Sequence, residues 1–180
     1  MNQSSESLAL TEGESFAALG HFSEIASSLA ARLPWAEIEH VGSTAVPGCL
    51  TKGDIDVLVR VDRDDFERSA LVLDGLLARS PRNAAADDYV EYDYLSGTVV
   101  ASVQLVAAGS WHDRRFHGLK TALLLDPAAV ELYNDLKLRH AGRDMEGYRQ
   151  AKSEFIDSLL DAAGPDESGS QPRVTPGISA

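Results

Sequence analysis

Two pairs of residues in this 180-residue sequence have types and a spacing that suit phosphate chemistry: Gly42-Ser43 and Asp54-x-Asp56. A glycine lets the backbone approach a bulky anion, and a serine hydroxyl with the following amides donates hydrogen bonds to phosphate oxygens. Carboxylates at positions i and i+2 of a strand point the same way and can jointly hold Mg²⁺, which prefers hard oxygen ligands. In phosphoryl or nucleotidyl transfer such a metal neutralises charge on the triphosphate.

Each half of this motif has a plainer interpretation when it stands alone. Paired aspartates at a strand edge are often solvated or cap turns, and a Gly-Ser pair before a loop is common. Here ten residues separate Ser43 from Asp54, and each half adjoins a predicted strand. The combination favours a functional site over a solvated surface.

Two strands are predicted to position these residues. Residues 38–41 alternate apolar and polar and lead into a loop or tight turn at 42–48. Residues 54–61 are rich in β-branched side chains, with apolar residues at every second position from 55 to 61. This alternation predicts that Asp54 and Asp56 share the face opposite the apolar one.

The rest of the sequence predicts a single mixed α/β (α+β) domain. Apolar residues at spacings of three and four predict helices at 16–33, at 64–78 with Asp64 as N-cap, around 116–123, at 126–141 and at 144–164. Strongly β-forming runs at 89–95 and 98–106 flank Ser96-Gly97 and predict a β-hairpin. The domain is expected to cover residues 1–164, and 165–180 are expected to form a disordered tail.

The sequence around the motif resembles a known family. Residues 40–48, His-Val-Gly-Ser-Thr-Ala-Val-Pro-Gly, and residues 52–57, Lys-Gly-Asp-Ile-Asp-Val, look like the signature of the GrpB family, which is placed in the polymerase β-like nucleotidyltransferase superfamily. Positions in the C-terminal helices also fit the family, namely Trp111, Phe116, Asp126-Pro127, Tyr133, Lys137, Tyr148, Lys152 and Phe155-Ile156. The resemblance implies a nucleotidyltransferase-like mixed sheet with flanking helices, a nucleoside triphosphate site and Mg²⁺.

The resemblance also implies roles for the motif residues. Asp54 and Asp56 are the expected catalytic residues and metal ligands. Gly42, Ser43 and Thr44 are the expected nucleotide-binding turn. These assignments cover residues on both sides of the ten-residue spacer.

One departure from the superfamily pattern concerns a third carboxylate. Members that catalyse transfer usually carry it on a later strand, where it helps to bind the activating metal or to deprotonate the acceptor. The corresponding strand here is 98–106, whose polar face offers Ser102 and Gln104, and GrpB-like sequences often have His or Gln there. Gln104 is therefore the predicted third position. Glu91 and Asp93 on the partner hairpin strand are alternatives, although such charges are more typical of a solvated strand face.

Lysines are the predicted partners of the phosphate charge. Lys52 lies two residues before Asp54. Lys137 and Lys152 lie on the last two predicted helices at positions that match the family, and either can meet a phosphate as a point charge. A solvated helix face is the alternative for these two.

Charge and composition narrow the expected partners. The formal net charge of −12 opposes binding to nucleic acid, so a small-molecule acceptor is expected, and an RNA-modifying transferase would need a local basic groove. No stretch approaches the roughly 18 apolar residues of a membrane span, and residues 1–6 carry no signal pattern. The single cysteine, Cys49, fits a reducing compartment. We expect a soluble, cytoplasmic protein.

Two functional hypotheses follow from these patterns. The first is a Mg²⁺-dependent nucleotidyltransferase that moves a nucleotidyl group from a nucleoside triphosphate to a small-molecule acceptor. The second is a nucleotide-binding or sensor protein of the same fold without transferase activity, which the missing third carboxylate favours.

Overall fold

Seven strands are present in the computed structural model, which describes residues 11–12, 16–82, 85–141 and 145–162. In chain order they are β1 (Thr11–Glu12), β2 (Glu37–Val41), β3 (Leu50–Thr51), β4 (Ile55–Val61), β5 (Ala78–Arg79), β6 (Tyr89–Ser96) and β7 (Val99–Ala107). Five of them form a sheet in the order β2-β4-β7-β6-β5, and β1 pairs with β3 separately. Strands β4 and β7 are parallel and the other neighbours in the five-stranded sheet are antiparallel, so the predicted mixed sheet is confirmed.

Helices cover both faces of this sheet. They are α1 (Phe16–Ala30), α2 (Phe66–Asp74), α3 (Trp111–Leu125), α4 (Pro127–His140) and α5 (Met145–Ala162). The predicted start of α4 is confirmed, because Pro127 occupies the first turn and the Asp126 side chain accepts a hydrogen bond from the Ala128 amide. Within the described part of the chain, no helix is long and apolar enough to cross a membrane.

The sheet face under α1 and α2 is a continuous apolar core. Alternate residues of β4 point into it, as the sequence predicted. Its buried residues are Ala18, Ile25, Leu29, Leu33, Ile55, Val57, Val59, Val61, Phe66, Ala70, Leu73, Val90, Tyr92, Ala101, Val103, Leu105 and Ala107. Removal of this apolar surface from water, at about 25 cal/mol per Å², is the main force that holds the two helices on the sheet.

The opposite face carries the other alternate residues of the same strands and is rich in polar side chains. A small apolar cluster there consists of Val41, Leu58, Tyr89 and Val106 beneath Phe116. Helices α3, α4 and α5 pack largely against one another and enclose a second cluster that includes Val46 and Cys49. This packing leaves a cleft between the polar sheet face and the three helices.

Three helix boundaries differ from the prediction: the end of α1 and both ends of α2. Helix α1 ends at Ala30, where a turn begins, and not at residue 33. Helix α2 spans residues 66–74 after a short 3-10 turn at Arg63–Asp65, so Asp64 is not its N-cap, which is Asp65. The chain turns back after Asp74 because β5 must pair with β6.

The predicted hairpin is confirmed, but its turn lies one residue later than expected. Ser96 pairs with Val99, so the two-residue turn is Gly97-Thr98. Gly97 has a φ of 61°, and two-residue hairpin turns favour glycine in the first central position, where φ is positive. The expected helix start at Asp144, the helix end at Gly164 and the disordered tail at 165–180 lie outside the described residues.

Candidate active site

The Gly42 turn lies directly against the carboxylate of Asp56. Strand β2 ends at Val41, which pairs with Asp56 across the sheet. Gly42 then takes a φ of 73°, and a Cβ added there would lie 2.0 Å from Asp56 Oδ2. Glycine is therefore required at this position, both for its positive φ and because the carboxylate occupies the space of a side chain.

Thr44 fastens the turn to the following segment. Its side chain is buried, and its Oγ1 donates to the Asp54 carbonyl oxygen at 3.2 Å. His40 Nε2 lies 2.9 Å from the same hydroxyl, and burial, followed by the charge of Lys120, lowers the pKa of His40 to about 4. Thr44 is not among the residues that line the cleft, and its side chain holds the turn in place.

Asp54 and Asp56 differ in environment. Asp54 is exposed just before β4, whereas Asp56 lies partly buried on the polar face of the sheet. Gln104 Nε2 donates to Asp56 Oδ1 at 3.2 Å. Burial is the main reason that the pKa of Asp56 is raised, with Asp54 and Glu91 acting in the same direction, while the charge of Lys152 opposes the rise. Lys152 thus compensates the charge of the Asp56 carboxylate only in part.

The three predicted lysines do not occupy equivalent places. Lys52 is exposed and Lys152 is partly buried, and both line the cleft. Lys137 is only 3% exposed, and its Nζ donates to Ser43 Oγ at 2.8 Å, to Cys49 Sγ at 3.1 Å and to the Leu50 carbonyl.

Lys137 therefore ties the serine turn to α4. Its ammonium also lies 3.9 Å from the centroid of the Tyr133 ring, an attractive cation–π contact. Burial lowers the pKa of Lys137. The contacts with Ser43, Cys49 and Leu50 give this lysine a role in positioning the turn.

A hydrogen-bonded chain connects Asp56 to a second buried acid. Gln104 Nε2 donates to Ser102 Oγ at 3.0 Å as well as to Asp56. Ser102 Oγ in turn donates to Glu91 Oε1 at 2.6 Å. Glu91 is 8% exposed, whereas Asp93 on the same face is exposed and bonded to Arg82. The expectation that both acids are solvated charges is wrong for Glu91 and confirmed for Asp93.

Most of these groups line one cleft of about 730 Å³, whereas His40, Thr44, Cys49 and Asp93 do not. The predicted site residues that it brings together are Gly42, Ser43, Lys52, Asp54, Asp56, Gln104, Lys137 and Lys152. Residues as far as 110 positions apart in the sequence thus meet at one surface, because β2, β4 and β7 are neighbours in the sheet and residues of α4 and α5 line the same cleft.

The cleft also has an aromatic end that the sequence interpretation did not assign. The rings of Tyr89 and His112 stack with centroids 4.3 Å apart, and Trp111 meets His112 edge-on at 4.9 Å. The Arg115 guanidinium lies 4.5 Å from the centre of the Trp111 ring, and Phe116 also lines this end. The sequence gives only a weak signal for this aromatic end, because Trp111 and Phe116 stand out in it solely as positions that fit the family.

Among the described residues, no group of three or more His, Cys, Asp or Glu side chains is arranged to hold a metal ion. Glu91 is therefore not a third ligand alongside Asp54 and Asp56 in this arrangement. Any metal at the motif would have two carboxylates from this part of the chain and would complete its shell with other oxygen ligands.

Comparison with known proteins identifies the family. The profile described as GrpB protein matches residues 17–162. The chain belongs to the GrpB family. A UPF0157 protein of Vibrio cholerae serotype O1 is 35% identical over 136 residues, which cover 75% of this chain and 71% of that protein. The family resemblance of the motif is confirmed.

Solved structures agree on the fold. The crystal structure of the conserved protein GrpB from Enterococcus faecalis is similar with a TM-score of 0.67 at 21% identity, covering 86% of this chain and 96% of that chain. A chain of the GLD-2/RNP-8 complex is similar with a TM-score of 0.52 at 14% identity, covering 94% of this chain and 74% of that chain. This GrpB family member therefore has a nucleotidyltransferase-like mixed sheet with flanking helices.

Proposed function

We propose that this GrpB family protein binds a nucleoside triphosphate together with Mg²⁺ and transfers a nucleotidyl group to a small-molecule acceptor. The observation that carries the proposal is the contact between the two halves of the motif. The Gly42 backbone lies against the Asp56 carboxylate, and both halves line one cleft. A phosphate held at the turn would therefore lie beside the metal-binding carboxylates.

The residues at this end of the cleft fit a magnesium ion. Asp54 and Asp56 offer carboxylate oxygens, and Mg²⁺ is usually held by one or two carboxylates with substrate phosphates and waters. Burial raises the pKa of Asp56, and an adjacent cation would restore the charged form. When bound, the ion would neutralise charge on the triphosphate.

The three lysines are proposed to have two different roles. Lys52 and Lys152 line the cleft together with the two aspartates and are proposed to bind phosphate oxygens directly. Lys137 is proposed to act at the turn, because its ammonium already holds Ser43 Oγ. Gln104 keeps Asp56 oriented through its amide hydrogen.

The size and charge of the molecule support a small acceptor. A cleft of about 730 Å³ lies within the range of about 300–1,000 Å³ that is usual for small-molecule sites. The net charge of −12 disfavours a nucleic acid acceptor, because counterion release needs clustered cations.

Calorimetric titration of ATP, GTP, CTP and UTP, with and without Mg²⁺, tests the proposal. Wild-type protein is expected to bind at least one nucleotide in a Mg²⁺-dependent manner, and the Asp54→Asn/Asp56→Asn variant is expected to lose that binding. The matched control is Asp62→Asn/Asp64→Asn, which removes the same charge from two exposed aspartates just beyond the other end of β4. Equal binding by wild type and the Asp54/Asp56 variant would remove the site assignment.

A second function is favoured by one observation. Gln104 is neutral at the position where the superfamily places its third carboxylate, and a site without that acid can still bind nucleotide. In this case the protein is a nucleotide sensor. Mg²⁺-dependent binding of a nucleotide that releases no pyrophosphate with any acceptor tested would support the sensor over the transferase.

A further inference from the structure

We propose that Ser43 and Lys137 form a nucleophile–base pair, and that Ser43 itself accepts a nucleotidyl group from a nucleoside triphosphate bound in the cleft. This inference rests on the proposed function, because it needs the nucleotide to bind. It goes beyond that function by naming an acceptor within the protein and a site of covalent modification at Ser43.

The contact between Ser43 and Lys137 joins two residues that are 94 positions apart in the sequence. Lys137 Nζ lies 2.8 Å from Ser43 Oγ. A serine hydroxyl is a weak nucleophile that becomes reactive when a base within hydrogen-bond reach takes its proton. A lysine amine can be that base, as it is in serine–lysine variants of the catalytic triad. The geometry at Ser43 therefore meets the first requirement of an activated serine.

The surroundings of Lys137 favour the neutral amine that a base must present. Lys137 is only 3% exposed, and none of the ion pairs within the described part of the chain includes it. Burial is the main reason that its pKa is lowered, and Lys152 acts in the same direction, whereas Cys49 and Asp56 oppose the shift. A fraction of Lys137 is therefore neutral at a pH where an exposed lysine is almost fully charged.

The other partners of Lys137 fit both of its protonation states. A neutral amine has two N–H donors, which can serve the Leu50 carbonyl and Cys49 Sγ, and a lone pair that remains for the Ser43 hydroxyl. An ammonium has three donors for the same three partners. A proton that passes from Ser43 to Lys137 thus produces an ammonium whose hydrogen bonds are already in place, and the turn need not rearrange.

Ser43 is also accessible to a ligand. It is partly exposed and lines the cleft together with Asp54 and Asp56. Among the described residues that line this cleft, lysines and arginines outnumber aspartates and glutamates. The local charge therefore attracts a polyphosphate, and a nucleotide whose phosphates lie at the Gly42 turn would present a phosphorus atom to Ser43 Oγ.

The proposed step conserves atoms and electrons. Ser43 Oγ forms a bond to the α-phosphorus of the nucleoside triphosphate. The bond from that phosphorus to the bridging oxygen breaks, and its electron pair leaves with pyrophosphate. The proton of Ser43 passes to the neutral amine of Lys137, and the resulting ammonium returns it to solvent through the cleft.

The test follows protein-bound label after incubation with Mg²⁺ and the nucleotide that binds best, labelled at either the α- or the γ-phosphate. Denatured protein is analysed by radioactivity, intact mass and peptide mapping, and calorimetry measures nucleotide affinity for each variant. We expect the α-label on Ser43 with an equal amount of released pyrophosphate, and no bound γ-label. Ser43→Ala should carry no adduct at a nucleotide concentration that saturates it.

Two substitutions of Lys137 separate a base from a structural contact. Lys137→Met removes the amine, whereas Lys137→Arg keeps a cation and its donors but cannot become neutral. At saturating nucleotide, both variants should form the adduct at least about 100-fold more slowly than wild type. The matched control is Lys120→Met, which removes a lysine that pairs with Glu39 outside the cleft and should leave the rate unchanged. Melting temperatures report the fold of each variant.

The pH profile of the wild type examines the base without any substitution. At saturating nucleotide, the rate of adduct formation should rise about tenfold per pH unit below the pKa of Lys137, because the neutral fraction rises in that way. It should level off below pH 10.5, the ordinary lysine pKa, because burial lowers the pKa of Lys137. Lys137→Arg should lack this rise.

Three results would overturn the inference while nucleotide still binds. They are the absence of any adduct, an adduct on a residue other than Ser43 or from the γ-phosphate alone, and a Lys137→Arg variant that reacts at the wild-type rate. Failure of every nucleotide to bind would instead overturn the proposed function on which the inference rests.

Discussion

The two faces of the central sheet use the same strands for different purposes. Under α1 and α2, alternate residues of β4, β6 and β7 form one apolar core. Under α3, α4 and α5, the intervening residues of the same strands are Asp56, Arg60, Ser102, Gln104 and Glu91, with a small apolar cluster beside them. A side-chain period of two lets one backbone serve both.

The difference shows that the apolar face mainly supplies stability and that the polar face holds the candidate functional groups. The apolar face contributes burial of surface, which is not directional. The polar face contributes directed hydrogen bonds between side chains, and it includes carboxylates whose charge is not fully compensated. Substitutions on the two faces should therefore affect different measurements.

The largest expected effect is a loss of stability caused by a substitution on the polar face, at the Arg60–Asp113 ion pair. Arg60 donates to Asp113 Oδ1 at 2.7 Å and to Oδ2 at 3.1 Å, and Asp113 is 3% exposed on α3. Arg60→Met leaves a buried carboxylate without its cation and should lower the free energy of unfolding by about 3–5 kcal/mol. Urea unfolding measures it, and a loss below about 1 kcal/mol would mean that this ion pair does not hold α3 to the sheet.

The next effect lies on the apolar face. Leu105 of β7 is fully buried, and Leu105→Ala should cost about 2–5 kcal/mol because it leaves a cavity. The variant that remains folded should bind Mg²⁺-nucleotide as the wild type does, since Leu105 points away from the cleft. The control is Leu95→Ala at an exposed position, for which a change within about 0.5 kcal/mol is expected. Loss of nucleotide affinity in folded Leu105→Ala would show that the two faces are coupled.

A third effect should appear in binding more than in stability. Gly42→Ala forces a methyl group into Asp56 and strains the turn, so Mg²⁺-dependent nucleotide affinity should fall at least tenfold, or about 1.4 kcal/mol. Gly53→Ala is the matched control, because Gly53 also has a positive φ but no atom lies within 4 Å of the place that its new methyl group would take. Equal losses in both variants would assign the effect to backbone strain and not to the contact with Asp56.

The smallest effect is a dependence of stability on pH. Burial raises the pKa of Asp56 above the 3.8 of an unperturbed aspartate. Between these two pKa values the folded state binds more protons than the unfolded chain, so stability falls as the pH rises through that interval. Without Mg²⁺, Asp56→Asn should therefore be more stable than wild type at neutral pH, by on the order of 1 kcal/mol or less, and equal to it below about pH 3.8. Urea midpoints from pH 3 to 7 that run in parallel for the two proteins would contradict this account.

Local patterns predicted most of the elements but not their ends. The alternation of 54–61 and the two runs of the hairpin were sufficient to predict β4, β6 and β7. The predicted hairpin turn lies one residue early, and the helix predicted to end at residue 78 ends at Asp74, ahead of β5. Pairing with a neighbouring strand decides such boundaries, and a strand partner is distant in sequence.

The sequence likewise predicted the main residues of the candidate site but not all of their surroundings. The sequence was sufficient to single out Gly42, Ser43, Asp54 and Asp56, because their spacing on strand and turn is local. Thr44 is predicted to belong to the nucleotide-binding turn, and the structure adds that its hydroxyl bonds to the Asp54 carbonyl inside the turn. The burial of Glu91 could not be inferred from the alternation of β6, because helices from the C-terminal part of the chain cover that face.

By itself the sequence determined the family, the four longer strands, the alternation of their faces and the motif that joins turn and aspartates, since each depends on neighbouring residues. The tertiary structure decided that Lys137 holds Ser43, that Gln104 links Asp56 to Glu91 through Ser102, and that aromatic residues of α3 close the other end of the cleft. These contacts join residues from separate elements, and their distances and burial are set by how helices pack on a sheet and not by any local pattern.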